Sequence, residues 1–149
     1  MALADAYSTY CRWSGYDTTV SGITTTAIKG TAQGDYDGEA QTTTILNTLG
    51  NNSSDAPAAY YCRAYTFPDG STGYMGAAGE WQAALDNKSA IASALSKCAG
   101  TAMSDWYWTS TQFGYYDSWY MRWNGETLAG GYKGNYNGVR AFATLKWDD

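Results

Sequence analysis

Segment 105–138 constrains the fold of this chain most, because it concentrates aromatic residues without the aliphatic residues of an ordinary core. It holds four of the seven Trp, six of the fourteen Tyr and six Gly. Leu, Ile and Val fill most protein interiors, since they pack in defined rotamers and have no polar atom to satisfy. A mixture of Tyr, Trp, Gly, Asn, Asp and Ser is typical of antibody combining sites, where rigid rings and adaptable loops make the contacts. We therefore interpret this segment as a displayed binding surface.

A hydrophobic period of two predicts strands within and after this segment, because side chains alternate between the faces of a strand. One face of a strand around residue 120 would carry Trp119, Met121 and Trp123, and the other would carry Tyr120, Arg122 and Asn124. The tryptophans are expected in the inward phase: Trp106, Trp108, Trp119 and Trp123. The glycine-rich residues 125–138 are predicted to form a long loop, and long loops on rigid scaffolds commonly carry function. In the last strand, the face expected to pack on the core carries Val139, Ala141, Ala143 and Leu145. The residues that alternate with them are Arg140, Phe142 and Thr144.

Two helical regions are predicted before these strands. Residues 39–49 carry an apolar stripe that ends at Gly50, with Asp37 as the expected cap. Residues 78–98 are expected to form two short helices or one kinked helix. Residues 7–36 are predicted to contain strand fragments and turns, and residues 59–65 form an apolar-aromatic segment before a turn at Pro68.

The length of 149 residues fits one domain, which we expect to span residues 1–149. A net charge of −5 argues against a nucleic-acid partner. No apolar run approaches the ~20 residues of a membrane-spanning helix, so we expect no membrane insertion. The N-terminus lacks the basic and apolar regions of a secretory signal, so the chain is interpreted as a domain of a larger protein or as one exported without a signal.

The absence of histidine excludes Ser-His-Asp and Cys-His catalysis and removes the commonest metal ligand. Cys11, Cys62 and Cys98 are widely spaced, and we interpret them as buried and reduced, although one disulfide and a free thiol remain open. The alternating acids at 35, 37 and 39 do not follow the calcium-loop spacing, and the Trp-Asn-Gly-Glu run at 123–126 supplies too few oxygens for calcium. We therefore expect no metal, no cofactor and no catalytic residues.

Three blocks together resemble a known family. Residues 73–81 (Gly-Tyr-Met-Gly-Ala-Ala-Gly-Glu-Trp) are similar to a G-Y-L-P-x-x-G-E-W block, with Met75 and Gly76 in place of the usual Leu-Pro. Residues 107–111 are similar to Y-W-S-S-T, and Lys133 with residues 139–142 is similar to a closing K…V-R-A/P-F block. In this order they resemble the C-type lectin-fold variable proteins of diversity-generating retroelements, which share their fold with the formylglycine-generating enzymes. The resemblance spans about residues 39–145.

This resemblance implies an α+β C-type lectin fold, with two helical regions packed on a small twisted antiparallel sheet. It also implies that adenine-specific reverse transcription diversifies segment 105–138, because that process converts Asn codons into the residue types found there. The enzymes of this fold act through C-terminal cysteines, and this chain has none after Cys98. The resemblance therefore implies a non-enzymatic receptor-binding domain. Such a domain would lie on a phage tail or a bacterial surface and face the outside of the cell.

The expected partner is a protein or glycan receptor on a target cell, and any homo-oligomer is expected to form through a larger parent protein. The alternative is a carbohydrate-binding module whose aromatic rings stack on sugars. The expected ligand-binding residues are Asp105, Phe113, Tyr115, Tyr116, Asp117, Tyr120, Arg122, Asn124, Tyr132, Asn135, Tyr136 and Asn137.

Overall fold

Five helices and two small antiparallel sheets make up the regular structure of residues 1–144, the part of the chain that the computed structural model describes. The helices are α1 Lys29–Gln33, α2 Gly38–Leu49, α3 Pro57–Ala64, α4 Ala78–Asp86 and α5 Lys88–Lys97. The strands are β1 Tyr74–Met75, β2 Trp106–Gln112, β3 Asp117–Arg122, β4 Thr127–Tyr132 and β5 Ala141–Phe142. The α+β class predicted from the sequence is confirmed.

The larger sheet has the order β2–β3–β4, and one of its faces packs on α4. On that inward face Tyr107 lies opposite Met121, and Met121 lies opposite Leu128. The ring of Trp81 in α4 stacks on Tyr107 at a centroid distance of 5.3 Å. The smaller sheet pairs β1 with β5, which places the end of the described chain beside the start of α4.

Strand β2 is buried on both faces, so its two phases are less distinct than the sequence pattern predicts. Tyr107 faces α4, whereas Trp108 faces the N-terminal segment, where its indole N–H donates to the carbonyl of Cys11 at 2.9 Å. Trp106 has the same phase as Trp108 but lies at the start of the strand, stacks on Tyr120 and is 42% exposed. The prediction that Trp106 is a core residue is therefore wrong. Trp108, Trp119 and Trp123 are buried as predicted.

The N-terminal segment runs beside the last part of the chain. The amide of Ala6 donates to the carbonyl of Val139 at 2.8 Å, and Cys11 forms a two-way backbone bridge with Asn137. Arg140 is buried, and its guanidinium donates to the carbonyls of Leu3 at 2.7 Å and Thr101 at 2.6 Å. Arg140 was expected to face outward, and this prediction is wrong. Carbonyl oxygens that are distant in the sequence accept hydrogen bonds from its guanidinium inside the protein.

Helices α2, α4 and α5 lie where the sequence predicts them, but the cap of α2 differs. Asp37 makes no side-chain capping bond; the carboxylate of Glu80 accepts from the Gly38 amide at 3.0 Å and from the Ala77 amide at 3.2 Å. One carboxylate therefore serves the N-termini of both α2 and α4, where negative charge is favoured. It also accepts from the hydroxyl of Tyr74 at 2.6 Å.

Several expectations were wrong. Residues 127–132 form β4 instead of belonging to one long loop, and the apolar-aromatic segment, for which neither helix nor strand was predicted, lies mostly in α3, which begins with a proline at its first turn. Residues 7–36 are mostly irregular: the predicted strand fragments are present only as isolated bridges at Cys11 and Thr25, and the range also includes α1, which was not predicted. Cys11 and Cys62 are buried and free, but Cys98 is exposed. The inward placement of Leu145 lies outside the described residues. None of the described helices is long and apolar enough to cross a membrane.

Candidate ligand-binding surface

An aromatic stack lies at the open end of the three-stranded sheet. Register places Trp106 opposite Arg122 and Trp108 opposite Tyr120, so these side chains share one face. The rings of Trp106 and Tyr120 are nearly parallel, with centroids 4.9 Å apart, and the guanidinium carbon of Arg122 lies 4.6 Å from the Trp106 centroid. We call Trp106, Tyr120 and Arg122 the sheet cluster.

Asp105 holds the cationic end of the sheet cluster in place. Its carboxylate forms a 3.0 Å ion pair with Arg122 and accepts from the Asn124 amide at 2.9 Å. Partial burial by itself raises the pKa of Asp105, but the hydrogen bonds from Arg122 and Asn124 outweigh it and lower the pKa overall. The guanidinium is therefore oriented before any ligand arrives, which lowers the entropic cost of a contact.

Glycines in and after β4 let two tyrosine rings lie against the backbone. A Cβ at Gly131 would come within 2.7 Å of the Tyr120 ring, and a Cβ at Gly134 would come within 2.5 Å of the Tyr132 ring. Any larger residue would push these rings away. Gly131 and Gly134 are thus explained by close approach of aromatic rings, as well as by the loop flexibility that the sequence suggested.

A second group of exposed residues lies where the N-terminal segment runs beside residues 132–137. Because Cys11 and Trp13 pair with this segment and point inward, Tyr10 and Arg12 point outward. The guanidinium carbon of Arg12 lies 5.4 Å from the Tyr136 centroid. We call the residues gathered here the rim cluster, in which all members are exposed except the half-buried Asp17: Tyr10, Arg12, Tyr16, Asp17, Tyr132 and Tyr136.

The sequence interpretation placed Tyr120 and Tyr132 on one surface, but the register separates their strand phases. Tyr132 lies opposite Asp117, in the phase of Trp119 and Gly130, whereas Tyr120 takes the alternate phase. Tyr132 is exposed because it ends its strand, and its hydroxyl lies 3.5 Å from the Asp17 carboxylate. The sheet cluster and the rim cluster are therefore two separate but adjoining surfaces.

The remaining candidate residues are distributed as follows. Tyr115 and Tyr116 are exposed and meet edge to face at 4.7 Å in the β2–β3 loop. Phe113, in the same loop, packs against Trp119 at 5.1 Å, so its ring supports the core. Asn135 and Asn124 are exposed, but Asn137 is buried with its backbone paired to Cys11. The side chain of Asn137 is therefore not displayed at the surface.

Sequence reasoning missed Trp106 and the N-terminal members of the rim cluster. The alternation of Tyr10 and Arg12 with Cys11 and Trp13 is the signal that could have found the latter. It covers only four residues, and the pairing partner lies more than one hundred positions away in the sequence, so neither the strand nor its neighbour is evident.

A buried lysine fastens the N-terminal segment to the sheet. The ammonium of Lys133 donates to the Thr18 carbonyl and to the Gln112 side-chain oxygen, both at 2.6 Å, and lies 4.7 Å from the Trp13 ring centroid. The amide group of Gln112 also bonds both backbone groups of Val20. These contacts fix the chain on either side of Tyr16 and Asp17.

We expect the amine of Lys133 to titrate near pH 8. Burial lowers its pKa to about 8, against the opposing attraction of Asp17 and Asp117. An NMR titration of the lysine Cε signals should show one midpoint near this value, and that signal should be missing from Lys133→Met. If no signal lost on substitution has a midpoint below pH 9.5 (roughly one unit under the ordinary value), the expectation is wrong.

The same shift makes a stability prediction. The pKa of Lys133 is 10.5 in the unfolded chain and is lowered to about 8 by folding. Between these two pH values the folded protein therefore holds fewer protons than the unfolded chain. The cost of charging Lys133 is fully present below this window and is relieved as the pH rises through it. The difference in unfolding free energy between wild type and Lys133→Met should therefore shift in favour of the wild type over this range, as measured by urea denaturation.

Searches of protein-family models, of curated proteins and of solved structures returned no match for this chain. Among residues 1–144, no three His, Cys, Asp or Glu side chains are grouped so that they could hold a metal ion.

Proposed function

We propose that this protein is a non-enzymatic binding domain that recognises a receptor through its aromatic sheet and rim clusters. The observation that carries the proposal is the distribution of exposed apolar surface. Among the large hydrophobic side chains that are exposed in residues 1–144, all but Leu3 and Ile28 are Tyr or Trp, and most belong to segment 105–138 or to the N-terminal segment that runs beside it. Exposed aromatic groups of this kind mark interaction sites, and Tyr, Trp and Arg dominate binding energy.

We further propose membership of the C-type lectin-fold variable proteins, diversified by a retroelement. The contacts between the three blocks that resemble this family support the proposal. Tyr74 pairs with Phe142, Trp81 stacks on Tyr107, and the Ala78 amide donates to the Thr111 hydroxyl at 2.8 Å. The blocks thus form one buried scaffold, while the positions expected to vary include most of the exposed rings. Such a division would let residues change on the display without loss of the fold.

The genomic prediction of this proposal is specific. A near-duplicate of the sequence that encodes residues 105–138 should lie beside a reverse transcriptase gene and differ from it only at adenines. The extracellular location, on a phage tail or a bacterial surface, belongs to the same proposal.

Carbohydrate recognition is the second candidate. It is favoured by the stack of Trp106 and Tyr120, in which Trp106 is 42% exposed and lies beside the charged side chain of Arg122. An array of glycans and a library of cell-surface proteins, probed with the same immobilised domain, would separate the two candidates. The matched control is the domain that combines Tyr120→Ala and Arg122→Ala with the replacement of Tyr115, Tyr116, Tyr132 and Tyr136 by Ser: a partner retained equally by both proteins would contradict the proposal.

We expect binding and thermal stability to be independent of calcium. No group of three candidate metal ligands is present within residues 1–144, and calcium sites need six to eight oxygens. Thermal midpoints and binding should be the same before and after EDTA treatment. A drop of several degrees that calcium restores would support a calcium-dependent lectin instead.

A further inference from the structure

A polar cleft opens between the N-terminal segment and the start of α3, next to the rim cluster. Its volume is about 310 Å³, at the small end of the range for ligand pockets and large enough for one compact group. Arg12 forms one wall of the cleft. Side chains with hydroxyl groups provide most of the remaining lining: Tyr7, Tyr10, Ser53, Ser54, Tyr61 and Tyr136. We call it the Arg12 cleft.

The charge of the Arg12 cleft differs from that of the protein. The chain carries a net charge of −5, yet no carboxylate within the described residues lines this cleft. Arg12 forms no ion pair among residues 1–144, in contrast to Arg122, Arg140 and Lys88. Its guanidinium is exposed and rests against the Tyr136 ring at 5.4 Å. Asp17 lines the neighbouring cleft on the other side of Arg12.

The lining also has a rigid part. The rings of Tyr7 and Tyr61 are parallel, with centroids 4.0 Å apart, and Tyr60 meets Tyr61 edge to face at 5.6 Å. Tyrosine hydroxyls held in this way can both donate and accept hydrogen bonds, as can the serine hydroxyls of the same lining. A wall of hydroxyl groups beside aromatic rings matches a ligand that itself carries many hydroxyl groups.

We infer that the Arg12 cleft binds the carboxylate of an acidic saccharide. The guanidinium would donate two parallel hydrogen bonds to the carboxylate in a bidentate pair, and the tyrosine and serine hydroxyls would form hydrogen bonds with the sugar hydroxyls. An acidic peptide side chain offers the carboxylate but leaves most of these hydroxyls without partners. This inference rests on the proposed function, because it names the chemistry of a ligand that the adjoining clusters would help to hold.

The test is an array of saccharides that carry uronate or sialate carboxylates, each paired with its methyl ester and with a neutral counterpart, and accompanied by a tri-glutamate peptide. At least one acid should bind about tenfold more tightly than its ester, since a hydrogen bond to a charged group contributes on this scale. Arg12→Gln should remove that preference. Lys97→Gln is the matched control: it deletes one positive charge at the exposed end of α5, outside the cleft, and should leave binding unchanged.

The inference is overturned if no acid is retained, if acid and ester bind equally, if tri-glutamate binds as tightly as the best acid, or if Arg12→Gln binds like the wild type. Failure of the proposed function looks different. A receptor whose binding is lost with Tyr120→Ala but unaffected by Arg12→Gln would leave the proposed function standing and remove only the role of the Arg12 cleft.

Discussion

Trp119→Ala is expected to lower the free energy of unfolding by about 3–5 kcal/mol, the cost of truncating a large aromatic core residue. Trp119 is buried in the middle of β3, where its ring packs against Phe113 and its indole N–H donates to the Thr26 carbonyl at 2.8 Å. The substitution would leave both a cavity and a carbonyl without its partner. Since domains of this size are stable by only about 5–15 kcal/mol, the loss should be evident in a urea unfolding curve.

The matched comparison is the joint replacement of Tyr115, Tyr116, Tyr132 and Tyr136 by Ser. All four rings are exposed, and exposed substitutions usually change stability by less than ~0.5 kcal/mol each. This variant should unfold close to the wild type. If the tyrosine variant unfolds readily and Trp119→Ala does not, the buried and displayed faces have been assigned in reverse.

The parts of the fold that follow local patterns could be predicted from the sequence. Helices α2, α4 and α5 follow from apolar stripes that end at Gly or at polar runs, and β3 follows from strict alternation around Tyr120. Helix α3 could not be predicted, because eight residues that include two tyrosines and a cysteine do not form a clear stripe. Strand β4 was hidden by its two glycines, which local propensity assigns to a loop.

Burial depended on partners far away in the sequence. Alternation places Trp106 and Trp108 on the same face of the strand. Only the indole N–H of Trp108 donates to the Cys11 carbonyl, and only Trp108 is buried. Arg140 and Lys133 are long charged side chains that sequence reasoning would leave in solvent. Both are buried because carbonyl groups of the N-terminal segment receive their hydrogen bonds. These contacts span more than one hundred residues, and no local pattern encodes them.

The candidate site was predicted in composition and only partly in arrangement. Four tyrosines expected in solvent are exposed, and Tyr120 and Arg122 share the outward phase. The four N-terminal members of the rim cluster were missing from the prediction, since their place beside residues 132–137 is a tertiary feature. Asn137 shows the opposite error: its residue type suits a variable loop, yet its backbone pairing carries it into the interior.

Tyr120→Ala and Arg122→Ala are expected to weaken binding of the cognate receptor by about 2 kcal/mol or more each, roughly thirtyfold. Both side chains lie on the central strand, and both contact the exposed ring of Trp106. Rings and guanidinium groups that are already held in a stack lose less freedom on binding than the side chains of loop tips. The sheet cluster should therefore contribute more binding energy than the loop that carries Asn135.

The measurement is a dissociation constant for the receptor found in the screen, with circular dichroism to confirm that each variant is folded. Asn135→Ala is the loop control and should bind nearly as well as the wild type. Tyr120→Phe should also bind well, because it keeps the ring that stacks on Trp106, and Arg122→Lys should recover only part of the loss, since it keeps the charge without the planar group. If receptor binding survives Tyr120→Ala, Arg122→Ala and the fourfold tyrosine replacement, the aromatic surface is not the binding site, and the function must be sought elsewhere on the protein.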